Sequence, residues 1–518
     1  DWEHPYKTMD PGFEAMETRV FGKMYKNGHI YKGLKPVYWC AHDETALAEA
    51  EIEYKDDPCT TVYVKFPMHD DLGKLASLDK SKLFFVIWTT TIWTLPGNLA
   101  IALHPSESYV IVKAPNGEMY IMAEALTKKV MGLGGFEDYE IIDRHEGAFF
   151  ENMLADHPFL PKTSRLVLAD YVTMDSGTGC VHTAPGFGAD DYVTCKRYGM
   201  DMVVPVNDQG KHTEYAGKYA GMGTDESNPV ILKDMKESGM LFASEEIIHS
   251  YPHCWRCKHP IIFRATPQWF CSVDSFKDEA TGACEDVRWV PAWGKDRMRS
   301  MILERTDWCI SRQRRWGLPI PVFYCDDCSK PVCTDESIES VAKIYETEGS
   351  NAWFEREAAE LLPEGFTCPH CGGKHFTKET DTLDGWFDSG STHYAAMERD
   401  QGFWPATMYI EGLDQYRGWF QSSLLVAVGA LGRGAPFKEC VTHGWTVDGE
   451  GRAMHKSLGN GMDPAEIFNK YGADLLRLWA GSSDYHVDVR CSDEIFKQLS
   501  QNYLKFRNTA RYCLGNLD

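Results

Sequence analysis

The chain has 518 residues, 43% hydrophobic and 25% charged, with 44 glycines and 25 prolines, a globular composition that excludes collagen-like, low-complexity and wholly disordered readings. Its 76 acidic and 53 basic side chains leave a net charge of −23, which repels nucleic acid on average and requires any RNA partner to be met by a local basic patch. The longest strongly apolar run, Leu424 to Leu431, falls well short of the roughly 20 residues a bilayer span needs, and the first residues are not a signal peptide, so no membrane is expected.

At ordinary domain sizes the length suits three or four folded units. The chain begins without an initiator Met and reads as if cut from something longer. A helix is predicted at once, over Phe13 to Met24. After Pro36-Val37-Tyr38-Trp39-Cys40 the run Thr45 to Tyr54 (TALAEAEIEY) fits helix and strand equally, because its apolar residues alternate toward the end. From about Thr60 to Ile248 short β-branched runs alternate with turn residues, and Asn116-Gly117 between two apolar stretches predicts a hairpin. This reads as an inserted β-rich domain. Asp463-Pro464 supplies an N-cap and a first-turn proline for a further helix, and Glu494 to Leu514 reads as an amphipathic helix carrying Lys505, Arg507 and Arg511.

Seventeen cysteines without a secretory signal point to a reducing, cytoplasmic setting, where close pairs are metal ligands more often than disulfides. Cys325-Asp-Asp-Cys328 and Cys368-Pro-His-Cys371 form two knuckles whose spacers let both sulfurs turn toward one tetrahedral ion, a structural zinc because protein fills all four positions. A second set is less regular. Cys254-Trp-Arg-Cys257 is a full knuckle, but its partner Cys40-Ala-His-Asp43 has one cysteine, leaving Asp43 or His42 to complete a second ion, or a decayed site held by packing.

The segment Trp88-Thr89-Thr90-Thr91 ends a strand in three hydroxyls, and GTGCVHTAPGFGADDY downstream places His182 and Asp191 about a Gly-rich turn. With these residues the sequence resembles the isoleucyl-tRNA synthetases, and the resemblance runs along the whole chain. It is carried by PVYWC, ALAEAEIEY, WTTTIWTLPGN, GTGCVHTAPGFGADDY, YPHCWRC, ATPQWF, SRQRRWGLPIPVFYC, DGWFDSGSTHY and YIEGLDQYRGWFQSSLL. Valyl enzymes share the architecture, but WTTTIWTLP, HTAPG and RRWGLPIP look like the isoleucyl branch.

The resemblance implies an α/β protein: an incomplete Rossmann-type class I catalytic domain, an inserted β-rich editing domain, a zinc-knuckle insertion and a C-terminal helical stem-contact region. The corresponding expected segments are 1–57 for the remnant of the first catalytic half, 58–262 for editing, 263–322 for the return to the catalytic domain, 323–380 for the knuckles, 381–462 for the second catalytic half and 463–518 for the start of the helical region. Glu411, Gly412, Asp414 and Gln415 match the strand end that binds the aminoacyl-adenylate, and Trp386 and Trp419 match the isoleucine pocket. Lys456 and Ser457 match the ATP-binding lysine loop, where Lys456 stabilises departing pyrophosphate. The family's first loop lysine is replaced, and His455 supplies charge there only when protonated. The HIGH motif is absent, so the synthetic site is expected to be half built. Thr90, Thr91, His182 and Asp191 match the editing site, with Asp191 anchoring the substrate ammonium and the others placing the terminal adenosine and an attacking water. Arg312, Arg314 and Arg315 form the densest basic cluster and are the expected tRNA contact. The implied partners of an intact parent are tRNA(Ile), isoleucine and ATP with Mg, acting on a monomer. A stand-alone editing hydrolase and a zinc-stabilised tRNA-binding protein are the competing readings, and the retained YIEGLDQ and Lys456 disfavour both.

Overall fold

The structure, a computed structural model, describes residues 3, 5–305, 307–454 and 459–517. It divides into two compact units, one of Tyr31–Phe270 with Cys309–Trp316, the other of the remaining segments.

The long segment of the first unit carries thirteen strands: β1 Ile30–Cys40, β2 Thr45–Leu47, β3 Ile52–Asp70, β4 Leu83–Thr89, β5 Ala100–Leu103, β6 Ser108–Lys113, β7 Met119–Ala123, β8 Glu140–Glu146, β9 Leu154–Asp156, β10 Thr163–Leu168, β11 Val181–Thr183, β12 Leu241–Cys254 and β13 Ile262–Ser272. Ten of them form one sheet in the order β12-β3-β9-β10-β5-β11-β4-β7-β6-β8, and β3 also pairs with β4. That extra pairing closes β3, β9, β10, β5, β11 and β4 into a six-stranded barrel, which leaves those strands without an open edge. Closure explains the composition of β4, where Leu83 to Ile87 are buried without alternation. Val64, Phe66, Phe85, Ile87, Ile101 and Leu166 belong to a single core. The Asn116-Gly117 turn forms as expected: Gly117 N donates to Ala114 O at 2.9 Å, Gly117 has φ +84°, and β6 pairs antiparallel with β7. The ambiguous run beyond Thr45 resolves into β2, one 3₁₀ turn and the start of β3.

Helices interrupt this β-rich unit where alternation does not announce them. The helix Thr224–Glu237 contains Pro229, a breaker in isolation. It forms because Ile231 and Met235 are buried in the barrel core and Glu226 Oε2 caps the Gly223 amide at 3.0 Å.

In the second unit a parallel sheet runs Arg288–Val290, Phe437–His443, Ala406–Gly412. Helix Trp419–Leu431 connects the last two strands and is buried from Phe420 through Ala430, the βαβ arrangement that opens a binding crevice at the strands' carboxyl ends. The predicted first helix spans Pro11–Lys26. Asp463 caps Pro464–Tyr471 by accepting from Ala465 N at 2.8 Å, and the last helix spans Asp493–Leu514 behind Ser492.

Candidate active sites and metal centres

The barrel holds a cavity of about 340 Å³ where β4 ends. Thr90, Thr91, His182 and Asp191, four residues spread over about a hundred positions of sequence, all line it, together with Trp88, Thr89, Thr94, Tyr171 and the loop Ser176–Cys180. Register explains their meeting. β11 pairs in parallel with β4 at Val181 and Trp88, so His182 emerges beside the threonines. Gly177 and Gly179 have φ of +74° and +75°, and a Cβ on Gly177 would lie 2.9 Å from the Trp88 ring. Only glycine lets that loop form the wall. Thr90 and Thr91 also line a second cavity of about 330 Å³ with Cys59, Asp225, Asn228 and Tyr251.

His182 is buried and both its nitrogens are engaged. Asn98 Nδ2 donates to Nδ1 at 2.8 Å, so the ring hydrogen sits on Nε2 and is donated to Thr94 Oγ1 at 2.9 Å. Asn98 is oriented in turn by Ser164 Oγ at 2.5 Å and Ala100 O at 2.9 Å. Thr94 then donates to Thr91 O at 2.7 Å, and its oxygen lies 3.1 Å from Thr91 Oγ1. Burial, with Lys162 nearby, pushes His182 down to about 3, so it is a neutral ring that orders hydroxyls, not a base. Both its nitrogens are thus taken, and it reaches the Thr91 hydroxyl through Thr94, a residue whose place in the cavity wall spacing alone did not mark.

Asp191 stands in the first turn of helix Ala189–Arg197. Its Oδ2 accepts from Ala184 N at 2.8 Å and Tyr171 OH lies 3.5 Å from Oδ1. Burial lifts it to about 6, and no cation pairs with it among the described residues. A half-buried carboxylate lining a cavity with no cationic partner suits a ligand that brings its own positive charge. Cys180 also lines the cavity, but burial raises its thiol and its Sγ lies 3.8 Å from Ile121 O, which leaves it an inert thiol.

In the second unit Glu411 and Gly412 end their strand, and Asp414 and Gln415 follow in a 3₁₀ turn. Gln415 Oε1 accepts from Trp419 N at 2.9 Å, and Trp419 Nε1 donates to Ser389 O at 3.0 Å. The Trp419 ring stacks on Tyr409 at 3.9 Å, and a Cβ on Gly418 would strike the Trp386 ring at 2.8 Å. Trp386, Gln415 and Trp419 thus share one half-buried patch, with Glu411 and Asp414 exposed beside it. Two residues beyond Trp386, Asp388 hydrogen-bonds Glu17 of helix Pro11–Lys26. Neither Glu17 Oε1 nor Asp388 Oδ1 meets a donor among the described residues. Burial, reinforced by the neighbouring acidic groups Asp384 and Glu14, pushes Asp388 up to about 6 and Glu17 well above the carboxylate range, so the pair shares one proton at neutral pH. Lys456, Ser457 and His455 lie outside the described residues.

The expected basic cluster divides. Arg312 is buried and its guanidinium pairs with Glu51 at 3.1 Å and with the Cys309 and Ser311 carbonyls, so it holds the unit together and does not face solvent as the sequence reading supposed. Arg314 is half-buried, and Arg315 and Trp316 are exposed.

Both cysteine sets converge. Cys325, Cys328, Cys368 and Cys371 place their sulfurs within 4.8 Å of one another, with pairs at 3.4 and 3.8 Å. Cys40, Asp43, Cys254 and Cys257 do the same, with Cys40 to Cys257 at 3.5 Å and Cys254 to Asp43 Oδ2 at 3.6 Å. Ligands about 2.3 Å from a tetrahedral ion are about 3.8 Å apart, so both sets fit a zinc-sized cation. In all four knuckles the residue after the last ligand is left-handed: Glu44 at φ +48°, Lys258 at +63°, Ser329 at +56° and Gly372 at +78°. Asp43 therefore occupies the backbone place of a second cysteine, and its amide lies 3.3 Å from Cys40 Sγ. This geometry favours Asp43 over His42 as the fourth ligand.

Comparison with known proteins follows the same lines. The chain is 55% identical over 521 aligned residues to the isoleucine–tRNA ligase of Caldicellulosiruptor bescii and 53% identical over 520 to that of Caldanaerobacter subterraneus subsp. tengcongensis, covering 100% of this chain and 56% of each relative. It thus spans a little over half the length of these relatives. A solved LeuRS–tRNA–LeuAMS ternary complex from Agrobacterium radiobacter K84 aligns over 96% of this chain and 60% of its own at 18% identity and a TM-score of 0.39, too slight a likeness to weigh. The family model of class I tRNA synthetases (I, L, M and V) matches residues 1–492, and the chain belongs to that family.

Proposed function

We propose that this chain is part of an isoleucine–tRNA ligase whose whole activates isoleucine with ATP, transfers it to tRNA(Ile) and hydrolyses mischarged Val-tRNA(Ile). The observation that carries the reading is the gathering of Thr90, Thr91, His182 and Asp191 in one barrel cavity, in a chain 55% identical to a relative of that name. A second hydrolytic sieve is needed because one methylene separates valine from isoleucine, the handicap for which this very enzyme is the standard illustration.

Within the cavity the Asp191 carboxylate takes the ammonium of the esterified amino acid, and the Thr90 and Thr91 hydroxyls hold the ribose end and the water. Neutral His182 fixes the Thr94 hydroxyl against Thr91 and carries no proton in the reaction. Water attacks the ester carbonyl directly, with no covalent enzyme intermediate. In the other unit Trp386 and Trp419 form the isoleucine side-chain pocket, while Glu411, Gly412, Asp414 and Gln415 meet the adenylate. Lys456 and Ser457 serve the phosphates of ATP, which enters with Mg. Cys325, Cys328, Cys368 and Cys371, and likewise Cys40, Asp43, Cys254 and Cys257, would hold a structural zinc, which would tie turns distant in sequence together. Arg315, beside exposed Trp316, and Arg314 remain for tRNA contact. The protein acts as a monomer in the cytoplasm.

The test measures Val-tRNA(Ile) deacylation and isoleucine-dependent ATP–pyrophosphate exchange on this chain and on the full-length enzyme. Deacylation by both with exchange by the full-length enzyme alone is expected. Robust exchange by this chain overturns the assignment of a half-built synthetic site, and absence of deacylation from both removes the editing role.

A further inference from the structure

The 3₁₀ turn Ile92–Gly97 brings Thr94 to His182, and at its two ends Thr94 N donates to Thr91 O at 3.2 Å and Asn98 N to Leu95 O at 2.9 Å. A turn this short leaves acceptor capacity on its last carbonyls that donors from outside can fill. Two side chains supply them. His157 Nε2 donates to Leu95 O at 2.9 Å, and Lys162 Nζ donates to Pro96 O at 2.6 Å. Both stand at the ends of the short loop between β9 and β10, closed by His157 N to Lys162 O at 2.9 Å.

The donors are set with little freedom. His157 is buried, and its Nδ1 accepts from Leu160 N at 3.1 Å and Phe159 N at 3.3 Å, which forces the ring hydrogen onto Nε2 and toward Leu95. Lys162 lies 5.0 Å over the Tyr215 ring, and burial lowers its ammonium to about 8, still charged at neutral pH. A desolvated cation against the carbonyl end of a turn is a strong anchor. Neither side chain lines the 340 Å³ cavity, so any effect on the reaction passes through the turn. The path is continuous: the Leu95 and Pro96 carbonyls, then Thr94 Oγ1, then His182 Nε2 on one side and Thr91 Oγ1 on the other.

We propose that His157 and Lys162 are positioning residues of the barrel cavity, clamping the threonine turn so that Thr91, Thr94 and His182 remain one wall. The kinetic arm of this inference rests on the deacylation reading; the structural arm does not. Lys162→Met is expected to lower kcat for Val-tRNA(Ile) deacylation about tenfold with KM within about twofold, as for a small misplacement of reacting groups. Hydrogen exchange at the Thr94 and Asn98 amides is expected to quicken about tenfold while the amides of β5 and β10 keep their rates. Lys162→Arg restores both. Lys162→Gln, a milder change, carries the same readouts if Lys162→Met does not fold. Wild-type exchange at Thr94 and Asn98 in the variant overturns the clamp, and so does exchange accelerated equally throughout the barrel. If neither the wild-type chain nor Asp191→Ala deacylates, the deacylation reading fails, and the two amides still decide the clamp.

Discussion

The barrel cavity and the strand-end site of the other unit draw on opposite construction methods. Around the barrel cavity three polar side chains are each locked by another group: His182 by Asn98 and Thr94, Asn98 by Ser164, Asp191 by the Ala184 amide. Around Gln415 and Trp419 the fixing comes from ring packing and one backbone bond, and the carboxylates of Glu411 and Asp414 stay exposed. On the proposed reading, the first site places a water against an ester and is preorganised for it by hydrogen bonds in a low-dielectric recess. On the same reading the second site meets an aliphatic side chain with apolar surface, and its carboxylates meet the substrate ammonium and ribose hydroxyls.

Three experiments press on that contrast, and two more test other parts of the molecule. The largest effect is expected from Asp191→Ala, which removes the ammonium anchor and should cut Val-tRNA(Ile) deacylation about 100-fold while leaving isoleucine-dependent exchange by the full-length enzyme intact. The wild-type pH profile sharpens the point. Burial has raised Asp191 to about 6, so the anchoring charge is present above that pH and lost below it, and the rate should fall about tenfold per unit as pH drops under 6. Next is Trp419→Ala. Losing a half-buried ring that stacks on Tyr409 should cost about 2 kcal/mol, read as an isoleucine KM raised about 30-fold in exchange, with deacylation unchanged. If both variants damage both activities, the two sites are not the separate devices described.

A smaller effect separates the two metal centres. If both sets are loaded with zinc, the Cys40 set, with carboxylate in place of one thiolate, should release the ion to a chelator about tenfold faster than the Cys325 set, and Asp43→Cys should remove the difference in a release assay. The smallest concerns the proton shared by Glu17 and Asp388. Their folded-state affinities for protons exceed those of the unfolded chain, so the pair costs nothing below about pH 4 and destabilises progressively as pH rises through about 6. Glu17→Gln should therefore raise stability at pH 7.5 by about 1 kcal/mol and leave it unchanged at pH 4, measured by denaturant unfolding. A loss of stability at both pH values refutes the shared proton.

Much of this was legible before any coordinates. Knuckle spacing predicted the convergence of seven cysteines and left the eighth place open between Asp43 and His42, because two residues between ligands is the span of one tight turn. The Asn116-Gly117 hairpin and the Asp463 cap were readable for the same local reason. The helix Thr224–Glu237 was not, since Pro229 argues against it and only burial of Ile231 and Met235 in the barrel overrides that preference. Arg312 misled because an Arg-rich string looks like surface, whereas Glu51, 261 positions earlier, neutralises it in the interior.

By itself, then, the sequence determined what depends on neighbours along the chain: turns, caps, knuckles and the motifs that name a chemistry. Tertiary structure alone decided the barrel's closure through the β3–β4 pairing, the approach of Asp43 to Cys254, the neutral and fully engaged state of His182, the entry of Thr94 into the cavity wall and the placement of His157 and Lys162 behind it. Each of these rests on contacts between residues far apart in sequence, and hydrogen-bond satisfaction and desolvation are properties of the packed interior, absent until those residues meet.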